Sequence, residues 1–389
     1  MKENKKKKYL LTRFGGIGDI APVMAVARYL KKQGHSVDLA LREDQHGQKQ
    51  IDFLQNSDCC DNAINFKEYG PSKARVVPFA HGLIDVRGIY KNYDEVIDYM
   101  YIVERNNTCN TSYKNKPSDE WKNHRNSNWV NWYDLHFAWA NIDPTSVPDE
   151  DKRPVFVLSD EEKRQVEKIK AGRGKIITIN PYASSLTRTW YQAEKLIPEI
   201  LKQEPKATIF YWKPDKGVWS CFTKEGVSQY LPQLKSSVRA SMCVVGASDL
   251  YIGADTGFTH IAEGLGVKHI AIYSSVPWWT RAKYYKNQIH VDKGPHTFSL
   301  TLGDPLRVEE GYAKLSAKEK KILSLHSSGM GIDQAASLMN TTEEGIAMEL
   351  ESIKTKVAAC ERIQSKSLTS VSVKEILELS MKTIKGSIK

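Results

Sequence analysis

Apolar positions along this chain fall into short runs separated by glycine-rich turns and by stretches with helical spacing. Tyr9-Leu10-Leu11-Thr12-Arg13-Phe14 reads as a buried strand and runs into Gly15-Gly16-Ile17-Gly18-Asp19. Helical spacing follows over Ala21 to Lys32, carried by Val23, Val26, Ala27 and Leu30. The pattern predicts a strand at Val37 to Leu41, a helix at Gln48 to Gln55, and short strands at Ala63 to Phe66 and Glu95 to Tyr99. Further along, Lys175 to Asn180 reads as a strand, Pro181 to Thr189 as a hydroxyl-rich loop, and Ala193 to Gln203 as a helix. Strands are also predicted near 207–211, 242–245, 250–252 and 268–273, with a small-residue helix from Thr259 to Gly266. Strand, glycine turn and helix in repetition is the unit of a doubly wound parallel sheet.

The turns carry the candidate chemistry. A helix that opens at Asp255-Thr256-Gly257-Phe258-Thr259-His260 points unpaired N–H groups and the positive end of its dipole above the sheet. Asp255, Thr256, Gly257 and His260 are therefore placed to hold a phosphate beside a polar sugar; an ordinary capped turn is the plain alternative. Gly16 and Gly18 let the backbone approach a ligand, and Asp19 is either a general base or a helix cap. Ser184 and Arg188 suit a diphosphate, since Arg offers a bidentate fork and Ser a short hydrogen bond, unless the loop is merely solvated. Trp278 and Trp279, with Arg281 nearby, are costly to expose; Trp278 is the candidate for stacking on a nucleotide base.

These three segments, in this order and at this spacing, resemble the heptosyltransferase family of GT-B glycosyltransferases. Arg13 to Asp19 looks like its N-terminal loop, whose Gly-Asp pair carries the catalytic base. Ser184 with Arg188-Thr189-Trp190 looks like its phosphate-binding loop, and Asp255-Thr256-Gly257 with His260 and Ala262 looks like its nucleotide-sugar signature. The resemblance spans about residues 8–310 and the tail after Cys360. It implies an α/β fold with two Rossmann-like domains facing across a cleft, Asp19 as base, and a nucleotide-sugar donor. Trp212-Lys213-Pro214-Asp215 departs from the acidic or glycine-rich loop frequent there, so base and sugar can differ from ADP-heptose.

At 389 residues with 41% hydrophobic and 26% charged residues, the composition is that of a globular protein of two or three domains. Six cysteines lie without the spacing of a zinc site or a disulfide framework, which fits the cytoplasm, or a host's cytoplasm if the chain is phage-encoded. Arg13 and Asp19 interrupt what would be a signal-peptide core, and no apolar run approaches the ~18 residues of a membrane span. A net charge of +10 favours a polyanionic partner. Residues 104–143 interleave aromatics with cations, so Lys122, Arg125, Trp129 and Trp132 are acceptor-binding or DNA-binding candidates; a helical hairpin filling a core is the alternative. Asp149-Glu150-Asp151, between prolines and without a preceding strand, reads as a solvated linker and not as a metal motif.

From Leu315 the pattern turns helical: Ser316 with Glu319 at capping-box spacing, a short helix Ile332 to Met339, and a longer one from Glu343 to Ala358. This layout resembles the helix-turn-helix of LuxR-type regulators and sigma-factor region 4, with Lys354 and Lys356 as its cations against Glu343, Glu344, Glu349 and Glu351. The expected division is residues 1–150 as acceptor domain, 151–310 as nucleotide-sugar domain, 311–359 as a small all-α insert, and 360–389 as a closing helix. Together these features lead to an inverting sugar transfer that needs no metal or other cofactor. The expected partners are a nucleotide sugar and double-stranded DNA bearing a hydroxymethylated pyrimidine. Lipopolysaccharide core is the alternative acceptor, and a nucleotide-sugar-sensing DNA-binding protein is the alternative of another class.

Overall fold

A computed structural model describes residues 6–13, 15–41, 50–65, 89–99, 131–183, 188–190, 192–213, 218–230, 237–274, 277–293, 316, 318–319, 321–322, 332–350, 352–353 and 371–386. Among these residues the chain builds two sheets. The first has four parallel strands, β1 (Lys8–Arg13), β2 (Ser36–Leu41), β3 (Asn62–Asn65) and β4 (Glu95–Asp98), in the order β3-β2-β1-β4. The second has seven: β5 (Ile176–Asn180), β6 (Thr208–Lys213), β7 (Val218–Thr223), β8 (Gly226–Tyr230), β9 (Leu250–Ala254), β10 (His269–Tyr273) and β11 (Gln288–Asp292). Its order is β11-β10-β9-β5-β6-β7-β8, parallel except for the antiparallel pairs β6/β7 and β7/β8. Central strands such as β5 and β9 are buried along their whole length, which is why they read as continuous apolar runs.

Strand order fixes where ligands can go. In an open parallel sheet the crevice lies beyond the carboxyl ends of the strands, where the winding direction reverses. In the first sheet that point falls between β1 and β4; in the second it falls between β5 and β9. The glycine turns singled out above leave from β1 and β9, and the Arg188 loop leaves from β5.

The helices are α1 (Ile17–Lys32), α2 (Trp132–Trp139), α3 (Asp160–Lys170), α4 (Leu196–Gln203), α5 (Val238–Gly246), α6 (Gly257–Gly264), α7 (Trp278–Ala282), α8 (Ile332–Met339) and α9 (Val373–Ile384). Three expectations change. Residues 242–245 lie in α5, not in a strand: Ser237 Oγ accepts from Ala240 N at 3.1 Å, and Val238 to Val245 are all buried. A segment enclosed on every side shows no helical period, so its apolar run imitates a strand. Gln50–Leu54 forms a 3-10 turn where a longer helix is predicted. The linker is docked, not solvated. Arg28 donates to the carbonyls of Asp151 and Arg153 at 3.2 and 3.0 Å, Lys32 pairs with Asp151 at 2.9 Å, and Lys152 is buried against Asp134.

The two sheets share an apolar base. One core cluster unites Leu11, Ile20 and Val26 with Phe137 and Trp139 of α2 and with Met242, Tyr251 and Ile261. Each such side chain, fully buried, stabilises by about 1.5–3 kcal/mol. At the rim of this base α1 meets α6 so closely that a Cβ at Gly18 would lie 2.8 Å from His260 Nε2. One at Gly257 would lie 2.9 Å from Cβ and Cδ1 of Ile17.

Farther along, Ile376, Leu377 and Met381 of α9 join Ile179, Trp190 and Ile252 in a second core, and Trp190 Nε1 donates to the Val371 carbonyl at 3.3 Å. Helix α8 and the helical stretch 343–350 share a small core of Ile322, Ala335, Ala336, Ile346 and Ile353. Ser316 and Glu319 cap one another as their spacing predicts, with bonds of 2.8 and 3.1 Å. Among the described residues no helix is long and apolar enough to cross a membrane.

Replacing Gly257 by Ala is expected to cost ~1–3 kcal/mol of stability in urea denaturation through collision with Ile17. In the Ile17→Ala background the same change is expected to cost less, since that background removes Cγ1 and Cδ1 of Ile17 and leaves only its Cβ in the way.

Candidate active site

Strand β1 ends in Arg13, whose side chain is only 1% exposed. Its Nη1 donates to the Tyr99 carbonyl, just past β4, at 3.0 Å, and its Nη2 donates to Asp19 Oδ1 at 2.6 Å. The Arg13 side chain thus ties both strands of the first switch point to one carboxylate. Asp19 is the third residue of α1, and its Oδ2 accepts from Gly16 N at 2.8 Å. The cap and base readings of Asp19 therefore coexist: one oxygen closes the helix start, and the group still lies at the crevice. Gly15 has φ of +128°, a backbone region closed to most L-residues, and a Cβ there would fall on the Asp19 carboxylate.

The second switch point is built from β5 and β9. Asp255, buried just after β9, accepts from Arg188 Nη1 at 3.0 Å, and the same nitrogen bonds the Asp255 carbonyl at 3.2 Å. Burial pushes the Asp255 carboxyl up, but the charges of Arg188, Arg281 and His260 and the Arg188 hydrogen bond outweigh it, so the group sits below the ordinary carboxylate range. Thr256 stands at the N-cap of α6 with no side-chain bond into the helix; its Oγ1 accepts from Asn180 Nδ2 of β5 at 3.5 Å. The first N–H groups of α6 face the crevice without helical acceptors.

His260 lies on the first turn of α6 with Nε2 turned to Gly18 of the other lobe. Its Nδ1 bonds the Tyr285 hydroxyl, which in turn meets the Tyr133 hydroxyl at 2.9 Å, a polar chain that ends on α2. Burial is the main cause, aided by the Arg281 and Arg188 charges, of an imidazole pKa pulled down to about 4. At neutral pH His260 is an uncharged hydrogen-bonding group.

The structure therefore brings together Gly16, Gly18, Asp19, Arg188, Asp255, Thr256, Gly257 and His260. Trp278, half-buried at the edge, stacks on His290 at 3.8 Å, so one ring face is already covered. Trp132 is a correction. It is buried in the shared core with Arg281 over its ring, and Asn131 caps α2 beneath it, so no face is open to a nucleic-acid base. The aromatics of α2 fill a core because an eight-residue helix bearing two Trp, a Tyr and a Phe has no polar face wide enough to remain outside. Ser184, Lys122, Arg125, Trp129, Lys354 and Lys356 lie outside the described residues. Among the described residues no three His, Cys, Asp or Glu side chains are grouped to hold a metal ion. Arg13, Tyr285 and Arg281 were not among the site candidates. A basic residue ending a buried apolar strand, and one following two tryptophans, are the signals that could have found Arg13 and Arg281.

This arrangement, two parallel-sheet lobes with facing switch points, defines an α/β protein of the GT-B kind. Residues 134–300 match the sequence profile of Glycosyltransferase family 9 (heptosyltransferase). No curated protein matches the chain. Among solved structures, the fold is similar to E. coli ADP-heptose lps heptosyltransferase II, with 12% identity, a TM-score of 0.52, and coverage of 73% of this chain and 90% of that one. It is also similar to the glycosyl transferase family 9 protein from Veillonella parvula DSM 2008, with 11% identity, a TM-score of 0.50, and coverage of 89% and 97%. The matched domain on this fold supports a glycosyltransferase.

The depressed pKa of His260 makes stability pH-dependent. The unfolded imidazole takes a proton below about 6.5, whereas the folded one resists until about pH 4. Stability is thus fully present above 6.5 and lost as pH falls toward 4, at up to ~1.4 kcal/mol per pH unit from this residue. Melting temperatures recorded from pH 7 to 4 are expected to fall in that window, less steeply in His260→Gln. His136, pulled down to about 3 by burial and by the Arg13 charge, keeps a residual slope in the variant.

Proposed function

We propose that the chain is an inverting glycosyltransferase that moves a sugar from a nucleotide-diphosphate sugar to an acceptor hydroxyl without a metal ion. The observation that carries this reading is the contact of the α1 and α6 starts through Gly18 and His260, which sets Asp19 beside the Asp255–Gly257 turn. A carboxylate has about four lone-pair sites. Arg13 and Gly16 occupy one on each oxygen, and the rest can accept the proton of an attacking hydroxyl. The proton passes to Asp19, the acceptor oxygen bonds the anomeric carbon from one face, and the nucleoside diphosphate departs from the other with the bonding electrons. Arg188 and the start of α6 meet the charge that develops on the leaving phosphate.

For the acceptor, the family 9 (heptosyltransferase) profile favours a saccharide hydroxyl, and the fold's likeness to E. coli ADP-heptose lps heptosyltransferase II makes lipopolysaccharide core the acceptor to test first. A second reading, hydroxymethylated DNA, rests on the helical unit: α8, a turn at Asn340 with φ of +52°, and helix 343–350 follow in helix-turn-helix order. The surface of that unit speaks against it. Glu343 and Glu344 are exposed, and so are Leu338 and Met348 at 56% and 74%, which is no face for a phosphate backbone. The profile match favours catalysis over a nucleotide-sugar sensor.

Asp19→Asn keeps the shape and removes the base. Sugar transfer is expected to fall ~10²–10⁴-fold while donor affinity by calorimetry stays unchanged. Wild-type turnover is expected to survive exhaustive dialysis against EDTA in the same assay. Retained transfer by Asp19→Asn would remove the residue from its role. Radiolabelled sugar offered with deep-rough lipopolysaccharide, hydroxymethylated DNA or plain DNA is expected to appear in the first; incorporation into hydroxymethylated DNA alone would reverse the acceptor reading.

A further inference from the structure

Arg281 is the unusual charge in this crevice. It projects from α7, is 4% exposed, and lies with its guanidinium carbon 3.0 Å from the centroid of the Trp132 ring. Its Nη1 is buried without a hydrogen-bond partner, and so is Nε1 of the same Trp132 indole. Leaving a buried charged donor unmet is costly, so such groups are found where a ligand completes them. The fields that act on Arg281 identify its neighbours: after burial itself, Asp255 acts most strongly, then Arg188, then Asp19. The charges of both switch points thus act on Arg281.

The local charge balance points the same way. Arg13 and Asp19 neutralise one another, His260 is neutral, and the single carboxylate of Asp255 faces two guanidinium groups, Arg188 and Arg281. One positive charge is left over, and the two groups that carry the imbalance, Arg281 and Asp255, are both buried. An anion is the group that balances it. Because Arg281 comes from the same lobe as Asp255 and Arg188, that anion belongs with the donor and not with the acceptor.

We propose that Arg281 is a second cation for the donor's diphosphate, donating Nη1–H to the phosphate that departs with the nucleotide. As the bond from the anomeric carbon to the phosphate oxygen breaks, the electron pair and its charge move onto an oxygen that Arg281 and Arg188 flank. The acceptor oxygen forms the new bond, and its proton goes to Asp19. Trp132 covers one face of the guanidinium and so fixes the direction of the fork, which gives the buried indole a role in positioning. This inference rests on the donor site described under the proposed function and adds the residue that takes up its unbalanced charge.

The test is calorimetric titration of the full chain with ADP, UDP, GDP, CDP and dTDP, each beside its monophosphate, for the wild type, Arg281→Gln and Arg281→Lys. For whichever diphosphate the wild type binds, Arg281→Gln is expected to weaken binding about 10–100-fold, the usual weight of a charged hydrogen bond, with the monophosphate much less affected. Arg281→Lys, which keeps the charge and loses the fork, is expected to fall between the two and to serve if Arg281→Gln does not fold. In turnover, kcat is expected to drop more than the donor KM rises. Equal weakening of diphosphate and monophosphate, or no weakening, would overturn the role of Arg281 while leaving the donor site intact. A wild type that binds none of the five diphosphates would overturn the donor site itself, and this inference with it.

Discussion

The close approach of α1 and α6 is the constraint on which the crevice depends. Helix starts repel when like dipole ends meet, so two of them abut only where something else holds them. Here the shared core of Ile20, Val26, Met242 and Ile261 supplies the attraction from below. The absence of side chains at Gly18 and Gly257 then removes the steric bar above it. Asp19, third in α1, places a negative charge among the positive ends and bonds back to Gly16. The same few atoms therefore serve both packing and capping, and the Asp19 carboxylate is part of what lets the lobes meet.

Burial sets the electrostatic character of what surrounds it. Tyr285, Tyr133, His260 and His136 are all held in their neutral forms because the shared core and the helices exclude water from them. Neutral hydrogen-bonding groups leave the charges of Arg13, Arg188, Arg281, Asp19 and Asp255 as the fields that a ligand meets. In a low-dielectric crevice these act far more strongly than on a surface. The tyrosine chain from Tyr133 through Tyr285 to His260 links α2 of one lobe to α6 of the other, so ring orientation at the site depends on how the lobes pack.

The parts of this design that follow local rules were legible in the residues. Strand, glycine turn and helix at Arg13 to Asp19 and again at Ile252 to His260 form where expected, because each needs only a buried apolar run and a residue that admits a tight turn. The Ser316–Glu319 cap is equally local. What escaped is set by the surroundings. The run at 242–245 is a helix because α3 and the second sheet enclose α5, and enclosure erases period. Trp132 looked like a stacking surface, yet its neighbours Phe137 and Trp139 draw α2 into the core. The linker at Asp149-Glu150-Asp151 looked solvated, but Arg28 and Lys32 on α1 stand opposite its carbonyls and carboxylate. Arg281 gains its meaning only when Asp255 and Trp132, distant in sequence, converge on it.

The points where the chain leaves and rejoins the second sheet's lobe follow from the strand order. Strand β11 is parallel to its neighbour, so it ends at the same carboxyl edge as β9, the edge that carries Asp255. Lys293, one residue past β11, pairs with Glu375 of α9 at 2.8 Å, so the chain that departs at this edge returns beside its own point of exit. Closure entropy grows only slowly with loop length once the ends are held together, so a module with its own small core can occupy the interval without disturbing the sheet. Helix α9 then restores the second core through Ile376, Leu377 and Met381.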